Sequence, residues 1–279
     1  MKYLKNAFEL YIDSSIHVSF AVVAFTIISF LEYDLFPDQH LLLFIFFSSI
    51  TGYNFVKYAG IAKLHHLSLA KNLRIIQVFS GISFLAMLYF GFHLKTAVLI
   101  STGILGIFTL LYAIPLFGGE RNLRSLPGIK IFIIALVWAG TTQILPVVNA
   151  EMYLGKEILL DFFQRLLMVI VLTLPFEIRD LNFDSEKLGT IPQKLGTFKT
   201  KIFGTFLVGL IFSIELFQKS FNSNEFLSLV LILLISGVML WNAGERQKKF
   251  YASFWVESIP ILFLGIYLIF RNAIPQILF

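Results

Sequence analysis

Leu174–Gly196 reads LPFEIRDLNFDSEKLGTIPQKLG, which sets three acids at the close of a long apolar run. Glu177, Asp180 and Asp184 are spaced i, i+3, i+7. If the helix continues through them, that spacing stacks the carboxylates on one face, within reach of a shared cation. Hard carboxylate oxygens suit Mg²⁺, which is commonly held by one or two carboxylates together with substrate phosphates. Ionisable groups at the mouth of a membrane helix are costly, which makes them functional candidates. The plainer alternative is a solvated helix end at which Arg179, Lys187 and Lys194 neutralise the acids as surface pairs.

Working outward, the apolar character of this run is repeated along the whole chain. Of 279 residues, 57% are hydrophobic and 14% charged, with no polar half, which indicates an all-α polytopic membrane protein. Hydropathy predicts nine spans, at 15–33, 40–58, 73–93, 96–116, 129–148, 159–179, 201–217, 225–243 and 252–270. Each approaches the roughly 17 to 25 residues that a bilayer core demands. Residues 1–14 carry Tyr3, Leu4, Phe8, Leu10 and Tyr11 among polar residues and lack a small-residue cleavage site, which predicts an interfacial amphipathic helix. With no long linker, no low-complexity tract and no internal repeat, residues 1–279 read as one transmembrane domain.

The basic residues predict orientation. Lys2, Lys5, Lys57, Lys63, Lys71, Arg74, Arg121, Arg124, Lys130, Arg179, Lys187, Lys194, Lys199, Lys201, Arg246, Lys248 and Lys249 fall on one side. Only Lys95, Lys156, Arg165, Lys219 and Arg271 fall toward the other. That bias puts the amino terminus and the acidic stretch on the cytoplasmic face, in the inner membrane if the source is bacterial. The net charge of +5 is accounted for by these loops, and no basic and aromatic stripe suggests nucleic acid. Cysteine is absent, which removes disulfides and thiolate metal sites.

Arg179, Asp180, Asn182 and Asp184 in RDLNFD, followed by Gly189, Thr190, Leu195 and Gly196, resemble the second aspartate-rich motif of the UbiA superfamily of intramembrane prenyltransferases. Tyr112, Pro115 and Leu116, in LYAIPLF, resemble that family's Tyr-x-x-Pro-Leu signature, and the nine-span layout is similar as well. The resemblance implies a helical bundle that binds an isoprenoid diphosphate, with Mg²⁺ as cofactor and Glu177, Asp180 and Asp184 as its ligands. It also implies membrane lipid as surroundings and an aromatic or lipid acceptor. The family's first motif is not retained. Asn54 stands where that motif begins, but its aspartate positions hold Phe55, Tyr58 and Ala62.

Several cations lie where they can compensate. Lys57 and Lys63, near the lost motif, are candidates to stand in for a bridging metal; alternatively they touch only lipid headgroups. Arg121 and Arg124, with Lys130 after them, are candidates to grip the diphosphate, because guanidinium groups bind phosphate oxygens bidentately. Glu257 sits inside the last span, where it suits either a buried base or head-group contact, or an interfacial carboxylate paired with Lys248 or Lys249. His65 and His66 lack metal-ligand spacing and read as polar loop residues.

The catalytic candidates are therefore Asp180, Asp184, Lys57 and Tyr112. The substrate-binding candidates are Asn54, Arg121, Arg124, Lys130, Arg179 and Glu257. The expected reaction is Mg-assisted ionisation of the diphosphate, followed by prenyl transfer or cyclisation. The rival expectation, resting on Phe55, Tyr58 and Ala62, is a non-catalytic membrane protein that binds a prenyl lipid or a partner.

Overall fold

A computed structural model describes residues 2–59, 73–114, 122–185, 188–217 and 223–273. Its elements are α1 (Lys2–Asp13), α2 (Ile16–Glu32), α3 (Gln39–Ala59), α4 (Leu73–Gly91), α5 (Thr96–Ala113), α6 (Lys130–Ala139), α7 (Leu145–Asn149), α8 (Lys156–Asp180), α9 (Ile191–Leu216), α10 (Ser223–Asn242) and α11 (Ile259–Ala273). No strand occurs among the described residues. Eight segments in them are long and apolar enough to cross a membrane, or nine if α1 and α2, bent by 56°, count as one broken span. The chain is an integral membrane protein with the all-helical architecture expected.

The breaks have local causes. Between α1 and α2, Ser15 adopts a left-handed conformation (φ 64°), which turns the chain out of the first helix. A π turn at Gly140–Ile144 joins α6 to α7, whose first turn contains Pro146; proline removes a ladder hydrogen bond and crowds the preceding turn. The two pieces form one membrane-length segment, Lys130–Asn149. A second π turn, Tyr251–Val256, precedes α11.

One boundary departs from expectation. The span expected at 201–217 belongs to α9, which starts at Ile191, so half of the expected loop is helical. Gln193 Oε1 accepts from the Thr190 backbone amide at 2.9 Å, the half of a capping box that satisfies the free donor at the start of α9. Gly196, at φ 77° and ψ 162°, then kinks the helix, a conformation glycine reaches without a side-chain penalty.

The principal core surrounds α8, where Met168–Leu172, Leu174 and Ile178 are buried against Ile131 and Ala135 of α6, Leu207 and Ile211 of α9, and Leu229, Ile232, Leu233 and Leu240 of α10. Lipid tails are as apolar as leucine, so close van der Waals contact, not exclusion from water, holds such helices together. Gly204 of α9 is a point of closest approach: a Cβ there would lie inside contact distance of Leu174 and Leu240. Gly204→Val is accordingly expected to separate α8, α9 and α10 and to cost about 1–3 kcal/mol, read as a lowered unfolding temperature in detergent.

Candidate functional site

Charged and aromatic side chains gather where α3, α5 and α8 end and α6 and α9 begin. Lys130, the first residue of α6, directs its ammonium to Asp184 Oδ2 at 3.0 Å and to Glu177 Oε1 at 3.4 Å. All three side chains are well covered, Glu177 at 2% exposure. Its Oε1 accepts no well-formed hydrogen bond among the described residues, so the Lys130 contact there is chiefly ionic. Removing one partner of a buried pair leaves an uncompensated charge, so these three groups stand or fall together.

The remaining acid is held separately. Arg179 Nε and Nη2 donate to the two oxygens of Asp180 at 2.7 and 3.1 Å, while its guanidinium lies 5.1 Å from the Phe176 ring centre. The expectation that Glu177, Asp180 and Asp184 stack on one helical face is corrected here. α8 stops at Asp180, and Asp184 follows in a turn whose amide donates to Asp180 O at 2.8 Å. No three carboxylates converge as a metal-holding group among the described residues. The Mg²⁺ site expected on these acids does not fit them as arranged, because cationic side chains already occupy the carboxylates.

The loops tighten the same corner. Gly128 N donates to Leu188 O at 3.0 Å, which ties the approach to α6 to the approach to α9. Gln193 Nε2 donates to the carbonyls of Asp184 and Ser185 at 3.3 and 3.0 Å. Arg124 lies in a short 3₁₀ turn, Leu123–Ser125, and its charge acts on the buried hydroxyl of Tyr112 together with Lys130, Glu177 and Asp184. Tyr112 therefore faces this cluster. Arg121, Pro115, Leu116, Lys63, His65, His66 and Lys187 lie outside the described residues.

Beside it lies a second set. Lys57 Nζ donates to Ser15 Oγ at 3.0 Å and approaches Ile12 O at 3.5 Å. Its charge and that of Arg179 both act on Glu257, which brings α3, α8 and the start of α11 to one electrostatic neighbourhood. The alternative pairing of Glu257 with Lys248 or Lys249 is not among the ion pairs of the described residues, and Lys249 is bonded to Glu9 at 2.8 Å. Asn54 is occupied internally: Nδ2 donates to Ser14 O (3.0 Å) and Ser80 Oγ (2.8 Å), and Oδ1 accepts from Ser15 Oγ (2.8 Å). It joins α3 and α4 to the α1–α2 bend. Tyr58, at a lost aspartate position, donates to Asp13 O at 3.1 Å.

Sequence reading missed Tyr53, whose hydroxyl accepts from Trp138 Nε1 and which feels both Glu257 and Tyr112, so it bridges the two sets. It is one turn before Lys57 on α3, a spacing that put it within reach of notice. Also missed was a polar cavity of about 130 Å³ at the other end of α8. There Arg165 donates to Phe25 O (3.0 Å) and contacts Glu32 (3.3 Å), while Tyr33 donates to Asp161 (2.7 Å). Asp161 and Asp180 are nineteen residues apart on one helix, which corresponds to about 28 Å.

Together these features define a polytopic helical membrane protein with a cluster of paired charges and tyrosines at one end of its bundle. No family model matches the chain, and no curated protein matches it in sequence. In fold it is similar to a solved digeranylgeranylglyceryl phosphate synthase, with a TM-score of 0.56 over 97% of each chain at 18% identity.

Lys130→Met is expected to cost about 3–5 kcal/mol by stranding Glu177, and adding Glu177→Gln is expected to restore much of that loss. Thermal unfolding of the single and double variants in detergent measures the coupling; equal loss in both would remove the ion pair from this account.

Proposed function

We propose that the chain is a UbiA-like intramembrane enzyme acting on an isoprenoid diphosphate, with its amino terminus and site on the cytoplasmic face, in the inner membrane if bacterial. The observation that supports this most is the fold likeness along nearly the whole length of both chains, with cations and aromatic side chains gathered at one end of the bundle. Fold alone does not carry an activity; the chemistry of these residues has to supply it.

In this reading the C–O bond to the diphosphate breaks heterolytically and the electron pair leaves with the diphosphate. Charge growing on the leaving oxygens requires donors and cations fixed in advance, a role for Arg124, Lys130, Arg179 and Lys57, with the outlying Arg121 at the same loop. The allylic cation left behind is shielded by the rings of Tyr53 and Tyr112. Its capture by a nucleophilic acceptor gives prenyl transfer, with Glu257 taking the proton released; capture by a double bond of the same chain closes a ring and moves the positive charge to a ring carbon, and loss of a neighbouring proton to Glu257 then gives the neutral cyclic product. Asp180 and Asp184 act here by orienting Arg179 and Lys130. Since Mg²⁺ does not fit the carboxylates as arranged, none of these steps is routed through it.

A second reading is favoured by the same engagement of Asp180 and Asp184 by side-chain cations: a non-catalytic protein that binds a prenyl lipid or a partner without turnover. Diphosphate release from farnesyl, geranylgeranyl and longer prenyl diphosphates by purified protein, with and without Mg²⁺, separates the two. Turnover is expected, reduced about 10²- to 10³-fold by Arg124→Ala or Lys57→Met and impaired by Asp180→Ala. Prenyl-lipid binding with no release, unchanged by Asp180→Ala, would establish the second reading instead.

A further inference from the structure

The carboxylates of Glu177 and Asp184 face a single positive centre, and that centre belongs to the chain itself. Lys130 Nζ lies 3.0 Å from Asp184 Oδ2 and 3.4 Å from Glu177 Oε1. The latter atom is buried without a hydrogen bond among the described residues, so charge alone compensates it. We infer that Lys130 is a tethered counter-ion, occupying with its ammonium the position a divalent cation would take between Glu177 and Asp184, so that this pair binds no metal in the resting protein. The inference deepens the diphosphate-handling reading and rests on it for its consequence in binding.

Two carboxylates withdrawn from water need positive charge between them, from a metal ion or a side chain. An ammonium supplies it as a compact point charge with three donors and no exchange with solvent. The third acid does not restore a metal site, because both oxygens of Asp180 are engaged by Arg179. Lys130 is also anchored at the correct place by the fold: it opens α6, and the backbone bond from Gly128 to Leu188 fixes the loop before it against the segment after Asp184. The ammonium retains donor capacity beyond its two acids, and Arg124 and Tyr112 belong to the same neighbourhood. A diphosphate entering there meets the Arg124 guanidinium and the remaining donor of Lys130, whose charge is already balanced by its two acids, in place of a carboxylate-held metal. Lys130 is thus a positioning residue for its two acids.

The test is Mn²⁺ binding to the purified full chain in detergent, followed by paramagnetic resonance without any prenyl diphosphate. It therefore fails or succeeds independently of turnover. Wild type and Asp184→Asn are expected to give the same titration. Lys130→Ala, which frees the carboxylate pair, is expected to bind Mn²⁺ at least about tenfold more tightly than wild type, and Asp184→Asn in that background is expected to abolish the gain. Mn²⁺ should also raise the unfolding temperature of Lys130→Ala while leaving wild type unmoved, and Lys130→Arg should show no gain. A wild-type affinity that drops about tenfold on Asp184→Asn would overturn the inference, as would a folded Lys130→Ala that acquires no Mn²⁺. Should Lys130→Ala not fold even with Mn²⁺, the wild-type and Asp184→Asn comparison decides the matter.

Discussion

An ammonium set between two carboxylates inside an apolar bundle is the constraint to which the charged end of this molecule answers. In a medium of low polarity each of these groups alone is expensive, and their attraction is strong only while all are in register. The bridge from Lys130 to Glu177 and Asp184 therefore fixes the start of α6 against the end of α8 and the turn beyond it. The Gln193 bond to the Thr190 amide, the Gly128–Leu188 bond and the hold of Gln193 on Asp184 and Ser185 all reinforce that corner. Tyr112 and Arg124 are brought beside it by the same packing.

The number and placement of the spans were legible because lipid-facing helices leave long apolar runs, and the helix ends fell within a few residues at most spans. The start of α9 was not. Ile191–Thr200 is too polar to read as membrane, and its helicity comes from the Gln193 bond to the Thr190 amide and from contacts to the preceding turn. The site was legible as composition: acids after an apolar run, arginines after Tyr112, a lone carboxylate in the last span. Its pairing was not, because Lys130 lies 47 positions before Glu177 along the chain, a separation over which spacing rules are silent. Asn54 taught the opposite lesson. Its place in a motif suggested ligand contact, while its amide is engaged with Ser14, Ser15 and Ser80.

The bundle has two chemically different ends. Lys57, Arg124, Lys130 and Arg179 are interleaved with Glu177, Asp180, Asp184 and Glu257 at one, whereas Glu32, Glu157, Asp161, Glu215 and Glu225 line the cavity at the other around Arg165. The resemblance in fold to a digeranylgeranylglyceryl phosphate synthase concerns the framework. At so low an identity the likeness does not extend to the side chains, and Tyr53, Lys57 and Lys130 are among those that build the charged end of this chain.

The kink at Gly196 has a mechanical consequence. It divides α9 into a short leading turn, Ile191–Leu195, and a long membrane-embedded shaft that begins near Thr200. The leading turn grips the backbone of Asp184 and Ser185 through Gln193, whereas the shaft is seated on α8 and α10 through Gly204. Glycine at φ 77° gives the joint between them a freedom that no side chain would permit at equal cost. The two parts of one helix thus answer to different neighbours, the leading turn to the charged corner and the shaft to the apolar bundle, with a single glycine setting the angle between them.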